Sequence, residues 1–470
     1  MKKREPTAGK ISRHAAILAA VSAVMLALPA TANAQFYKET KLVSDIAGQA
    51  TITDPSLINP WGVSSSPMSP FWVSDAGANV TTIYAVDGTT GAISVARAPV
   101  SVPGPTGQVF NGSTDFVVSF GGASGPAAFI FAGLNGKIFG WNVNVPSFPS
   151  AQAVPAATGA PSPVAYTGLA FGTRGTDTFL YAANNAAGRI DVFDMNFTQV
   201  LFPGPFTDPT LPAGDKPFNV VNVGGNLYVT YSGPVGVVNV FDTDGIFLSR
   251  FATGGTLLNP WGIAIAPADF GQFSNAVLVG NFNLGNPAVG PGTISAFDAS
   301  GAFLGLLKDE TGADLLIDGL WSLRFGNGVN GGIKNVLYFS AGIDGQSHGL
   351  FGSLSACSGP AITGVSATPN LLWPPDHRMV PVVVNYTVQD SCDSAPVCSL
   401  SVSSNEGEGG GSGNTSSDFE VIDAHDVSLR AERAGTGDTR IYTITVACTD
   451  KLGLSSSAAA AVTVPHDQRP

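Results

Sequence analysis

Charge is scarce in this chain. Acidic and basic residues together make up 12% of it, and the formal net charge is −12. No basic stripe could neutralise a run of phosphates, so nucleic acid is not an expected partner. Histidine and cysteine are scarce where chemistry would need them: between Gln35 and Ser355 stand one histidine, His348, and no cysteine. No Gly-x-Ser-x-Gly occurs in a strand-to-helix setting, which removes a serine nucleophile elbow. Paired carboxylates suited to general acid–base work are missing too. Beyond the N-terminal segment, no stretch is apolar enough to cross a membrane.

What is present is glycine, proline and repetition. With 57 Gly and 33 Pro, the chain suits many short strands and tight turns. A phrase recurs six times between Asn59 and Leu354, roughly every 45 to 60 residues. Its clearest copies are Ile83-Tyr-Ala-Val-Asp87, Ile190-Asp-Val-Phe-Asp194, Val238-Asn-Val-Phe-Asp242 and Ile294-Ser-Ala-Phe-Asp298. Weaker copies are Ile138–Asn142 and Leu350–Leu354. Each alternates as a strand, and most end in Asp or Asn before a turn. An apolar run precedes each copy, as in Phe71–Asp75, Leu180–Asn184 and Val277–Asn281. Ahead of those runs stand Asn59-Pro-Trp-Gly-Val63, Thr114–Val118, Thr167–Phe171, Lys216–Val220, Asn259-Pro-Trp-Gly-Ile263 and Asp318–Leu323. Some units add an outer strand, for example Gly245–Phe251.

Four strands per unit and six units predict an all-β chain whose residues 35–354 form a six-bladed β-propeller. Tyr37–Val43 has no inner strands of its own and is expected to supply the outer strand of the last blade, closing an otherwise open edge.

The N-terminus reads as an export signal over residues 1–34. Lys2, Lys3, Arg4, Lys10 and Arg13 precede an apolar stretch, Ala15 to Leu28, then Pro29 and the small-residue site Ala32-Asn33-Ala34. The mature chain is expected to be periplasmic or extracellular, with no membrane span after cleavage. Cys357, Cys392, Cys398 and Cys448 all fall in the last quarter, and an even number suits two disulfides in an oxidising compartment. Three pairings are possible; Cys392–Cys398 with Cys357–Cys448 is preferred. After a hinge at 355–360, alternation resumes in strands such as Val380–Val388, Arg440–Val446 and Ala458–Val464. Residues 361–470 therefore suit an Ig-like sandwich.

The blades resemble NHL-type repeats, on Asn59-Pro60-Trp61-Gly62, Asp75, Asn79 and Arg189-Ile190. The region from Tyr37 to Leu354 looks like a family of exported bacterial proteins of undefined activity found with PEP-CTERM sorting systems. That likeness rests on Asn259–Gly262, Leu278–Phe282, Asp318–Trp321, Leu337–Gly342 and His348–Gly352. The chain departs from it in lacking a hydrophobic sorting tail and in an added loop, Asn283–Pro291. The last segment resembles bacterial Ig-like or HYR-like modules, on Asp390–Asp393, Leu429–Arg433, Tyr442–Val446 and Thr449-Asp450. Such modules imply adhesion or spacing.

Two functions are carried forward. In the first, the protein binds a glycan, a peptide or an envelope protein, and Trp61, Phe218, Trp261 and Trp321, which share one register, line the channel mouth. The competing structural reading places these aromatics between adjacent blades, where bulky residues are needed anyway. In the second, the ring is a metal-dependent lactonase, esterase or lyase. Asp75, Asn184 and Asn281, at the ends of second strands, would then offer oxygens to calcium; the competing reading has them holding turn amides. Asp344 and His348 flank a glycine-rich turn as isolated candidates. Asp390, Asp393 and Asp450 are candidates for a structural calcium.

Overall fold

The computed structural model describes residues 36–202, 204–282, 291–407, 416–435 and 439–466. The leader expected over residues 1–34, most of the loop Asn283–Pro291 and much of the glycine-rich loop at 406–413 lie outside the described residues. Almost all regular structure described is strand; the exceptions are one helical turn, Ile343–Gln346, and one 3-10 turn, Gly271–Phe273.

Six sheets, antiparallel but for the short parallel pairing of Ile52–Thr53 on Tyr37–Ser44, follow one another along the chain. Their first, inner strands are Pro60–Ser64, Pro105–Phe110, Tyr166–Arg174, Lys216–Val223, Pro260–Ile265 and Leu320–Phe325. Each inner strand touches the next, and the sixth touches the first, so the arrangement is a closed, propeller-like ring. The ring is sealed as its repeat predicts. Tyr37–Ser44 pairs antiparallel with Leu350–Ala356 and joins the sixth sheet.

The packing explains the apolar repeats. Each of the six faces between neighbouring sheets carries its own buried cluster. Second strands such as Phe71–Asp75, Phe129–Gly133 and Leu337–Ala341 are buried along their whole length, because a sheet covers both of their faces. Outer strands such as Ile93–Ser101 are largely exposed. The aspartate ending several third strands closes the following turn: Oδ1 of Asp87, Asp194, Asp242 and Asp298 accepts backbone N–H groups two to four residues on.

The second sheet corrects the sequence reading. Its inner strand is Pro105–Phe110, not the stretch Thr114–Val118. Residues Val117–Phe120 instead pair with Ala123–Pro126 in a separate hairpin. Phe116 turns back at a φ of 57° and buries its ring between the second and third sheets.

Beyond Ala356 two further sheets share one core. The first holds Ala361–Thr368, Met379–Gln389, Asp426–Arg430 and Phe419–Val421; the second holds Val397–Ser404, Arg440–Thr449 and Ser455–Val464. Val382, Leu429, Tyr442, Ile444 and Val462 are buried between them. Arg440, fully buried, reaches Asp418 at 2.6 Å and lies over the Tyr442 ring.

Both disulfides form, but in a pairing other than the preferred one: Cys357–Cys392 and Cys398–Cys448. Register decides this. Cys398 and Cys448 are direct partners on adjacent antiparallel strands. Cys392 sits in the turn after Met379–Gln389, where Cys357, Leu454 and Phe36 meet it in one small cluster. That cluster is also tied by Cys357 N–H donating to the Phe36 carbonyl and Lys38 Nζ donating to the Ser391 carbonyl.

Candidate functional site

The six inner strands run side by side around an axis, so residues at one register meet at one depth. At the first such level stand Trp61, Thr106, Thr167, Phe218, Trp261 and Trp321. The four aromatics converge and take in Phe282 from the segment after the fifth sheet's second strand. Trp321 stacks on Trp61 at 3.5 Å between centroids and on Phe282 at 3.8 Å. Trp261 meets both tryptophans edge-on, at 5.7 and 6.3 Å. Phe218 lies 5.6 Å from Trp321. None of the four expected residues is more than 7% exposed. They therefore lie outside the faces between adjacent sheets, and of the four only Trp261 reaches the channel cavity. Four sheets send them inward to a single plug.

The next level is built from small residues. Gly62, Gly107, Gly168 and Gly262 stand there with Asn219 and Ser322. A Cβ on Gly168 would sit 2.1 Å from Asn219 Oδ1, and one on Gly62 would sit 2.5 Å from the Thr106 carbonyl. Only glycine lets the inner strands come this close.

Polar side chains then bond across the gaps, satisfying inner-strand carbonyls that have no further strand to pair with. Gln108 Nε2 donates to the Gly62 carbonyl, Thr106 Oγ1 to that of Tyr166, Asn222 Nδ2 to that of Phe171, and Asn219 Nδ2 to that of Trp261. Trp261 Nε1 reaches the Thr167 carbonyl at 3.0 Å.

Above this belt lies a cavity of about 350 Å³ whose wall comes from all six inner strands. Trp261 forms part of its floor. Along the wall runs Ser64–Ser65, Gln108–Phe110, Leu169–Phe171, Asn219–Asn222 and Ser322–Arg324. A second cavity of about 340 Å³ shares Val221, Asn222, Ile263, Leu323 and Arg324 with it and extends toward Gly224 and Phe325. The wall contains no Asp, Glu, His, Cys or Lys; its one charged side chain is Arg324. Arg324 Nε donates to Ser65 Oγ at 3.1 Å and its Nη2 to the Ser65 carbonyl at 3.0 Å. Burial draws its pKa below the ordinary arginine value.

The expected oxygen ligands are placed elsewhere. Asp75, Asn184 and Asn281 are buried in the first, third and fifth sheets, each engaged within its own sheet. Asp75 Oδ2 accepts the Thr82 N–H, and burial holds its carboxyl well above the usual range. Asn184 Oδ1 accepts the N–H groups of Ala165 and Ala187. Asn281 Oδ1 accepts that of Leu258. Asp344 and His348 take different partners: the Asp344 N–H donates to Asp318, while His348 Nδ1 pairs with Asp45 at 2.6 Å. Asp390 and Asp450 each accept two nearby turn amides, and Asp393 accepts those of Ala395 and Lys451. Among the described residues, no three His, Cys, Asp or Glu gather where they could hold a metal ion.

Sequence reasoning passed over Arg324, Gln108, Asn219, Asn222 and Phe282. A signal for the first was present: Leu320-Trp-Ser-Leu-Arg-Phe325 is an otherwise uncharged inner strand, and a lone cation in such a strand needs a reason.

No family model matches the chain. Among solved structures, the WD40 β-propeller domain of Doa1 is similar over 67% of this chain and 97% of that one, at 9% identity and a TM-score of 0.37. Two proteins of Acanthamoeba polyphaga mimivirus are similar at the sequence level. "Uncharacterized protein R648" is 30% identical over 337 residues, 68% of this chain and 80% of the relative. "Uncharacterized protein L690" is 32% identical over 338 residues, 68% of this chain and 85% of the relative. The chain belongs to the family of these mimivirus proteins.

Proposed function

We propose that this is an exported binding protein: a six-bladed β-propeller of NHL-like repeats that takes its ligand into the channel, followed by an Ig-like module that spaces or attaches it. Export is supported by the leader-like sequence and by two disulfides, which suit an oxidising compartment. No described helix is long and apolar enough to cross a membrane.

The observation that carries the reading is the cavity above the aromatic plug. Its volume falls in the range of about 300–1,000 Å³ typical of small-ligand sites, and its wall mixes backbone, amides and apolar side chains. That suits a short glycan or a peptide end entering from the side opposite the plug. A channel metal enzyme is the weaker reading, since the wall offers no carboxylate, imidazole or thiolate as ligand or base.

The test is a glycan and peptide array on the full chain, followed by titration of each hit against Val221→Trp. Val221 lines both cavities and also packs at the seam of the fourth and fifth sheets, so an indole there narrows the channel, in a variant first shown to melt as the wild type does. Binding should fall by about tenfold or more. Hits that bind the variant as well as the wild type place the ligand outside the channel and overturn the reading.

A further inference from the structure

We infer that the channel recognises the carboxylate of a small, singly charged acid through the Arg324 guanidinium. This rests on the channel being the binding site, and it names what the ligand must carry.

The position comes first. Arg324 belongs to the walls of both cavities and so stands where they join, beside any molecule that enters far enough to approach the plug. Its charge comes second. Among the described residues no carboxylate pairs with Arg324, and neither cavity wall contains one. Buried or half-buried arginines ordinarily meet an anion, because taking an unpaired charge from water is costly. Neutral groups around it do not take that place: the amides of Gln108, Asn219 and Asn222 are already turned toward backbone carbonyls.

The unused donors come third. A guanidinium carries five N–H donors, and Ser65 accepts from Nε and Nη2 only. The remaining donors match the two oxygens of a carboxylate, the geometry that favours arginine over lysine. A single cation balances a single negative charge. A phosphate dianion would leave one charge uncompensated beside this half-buried cation; charge balance selects a monoanion, and the planar fork selects a carboxylate among monoanions. Arg324 also ties the sixth sheet to the first through Ser65, and the test separates this role from binding.

Melting temperatures of the full chain are measured in sodium acetate, acetamide and sodium phosphate, with sodium chloride holding ionic strength constant. Acetate is expected to raise the melting temperature of the wild type and acetamide to leave it unchanged, as a ligand selective for the folded state requires. Arg324→Gln is expected to weaken acetate binding by about tenfold or more. Ser65→Ala, which loosens the tie without removing the charge, keeps the acetate shift. The shift is read as the difference between wild type and Arg324→Gln, because phosphate stabilises folded chains non-specifically. Equal differences in acetate and acetamide, a larger difference in phosphate, or an acetate shift retained in Arg324→Gln each overturn the inference. Should Arg324→Gln not fold, Arg324→Lys keeps the charge and loses the fork; a shift as large as the wild type's then overturns it. A neutral glycan that binds wild type and Arg324→Gln alike but is lost in Val221→Trp overturns the carboxylate and leaves the channel reading standing.

Discussion

His348 holds its Nδ1 2.6 Å from one oxygen of Asp45, whose other oxygen accepts the Gly349 N–H. The bond to Asp45 raises the histidine's pKa above its ordinary 6.5. The stabilisation is therefore fully present below about pH 6.5 and is lost as pH rises through the raised value. His348→Gln should accordingly melt below the wild type in acid, and the two should converge in alkali. A gap that does not change with pH would show that the contact acts by packing alone. This pair does not reach the channel: its neighbours are the helical turn Ile343–Gln346 and Asn59, whose Nδ2 donates to Gln346. Single residues of this kind were half legible. The sequence marked His348 by its scarcity, yet the partner lies 303 residues away, and only ring closure brings Asp45 beside it.

The strands were the most legible level, for a physical reason. A second strand covered on both faces must be mostly apolar, with its few polar side chains bonded in place, and a third strand must end where an aspartate can hold its turn; both demands leave local patterns. Inner strands leave a weaker one. Pro105-Thr106-Gly107 performs the task of Asn59-Pro60-Trp61-Gly62 without an aromatic, so the apolar stretch at Thr114–Val118 outcompeted it. The usable signal was the glycine, since Gly62, Gly107, Gly168 and Gly262 all sit where inner strands touch. Disulfide pairing was not legible. It depends on the register between Val397–Ser404 and Arg440–Thr449, which no local pattern sets. Non-reducing digestion with mass spectrometry should recover linked peptides for Cys357–Cys392 and Cys398–Cys448. A Cys392–Cys398 peptide would contradict the register. Replacing Cys398 and Cys448 together by serine should cost about 2–4 kcal/mol in chemical denaturation.

At the scale of the molecule, stability depends on one seam. Tyr37, Leu42 and Val43 are buried within the last sheet's contacts, and the Tyr37 hydroxyl donates to the Phe270 carbonyl of the fifth sheet's surroundings. Side chains of this size contribute about 1.5–3 kcal/mol each on burial, so a chain beginning at Asp45 should lose about 5 kcal/mol or more. That is a large part of the 5–15 kcal/mol typical of folded domains. Chemical denaturation should show a lowered midpoint, and an unchanged midpoint would mean that the ring closes without this strand.

The same seam has a mechanical side. Leu350–Ala356, the strand that grips Tyr37–Ser44, runs directly into Cys357, and Cys357 is bonded to Cys392 of the C-terminal sheets. A pull on the C-terminal sheets reaches the end of Leu350–Ala356 at Cys357, through both the backbone and that bond, and can load the strand along its length. The backbone hydrogen bonds on its two flanks then share the load together, in shear, and none is peeled open alone. A molecule tethered through its C-terminal half and tugged by a ligand held in the channel would thus carry the strain along its most resistant direction.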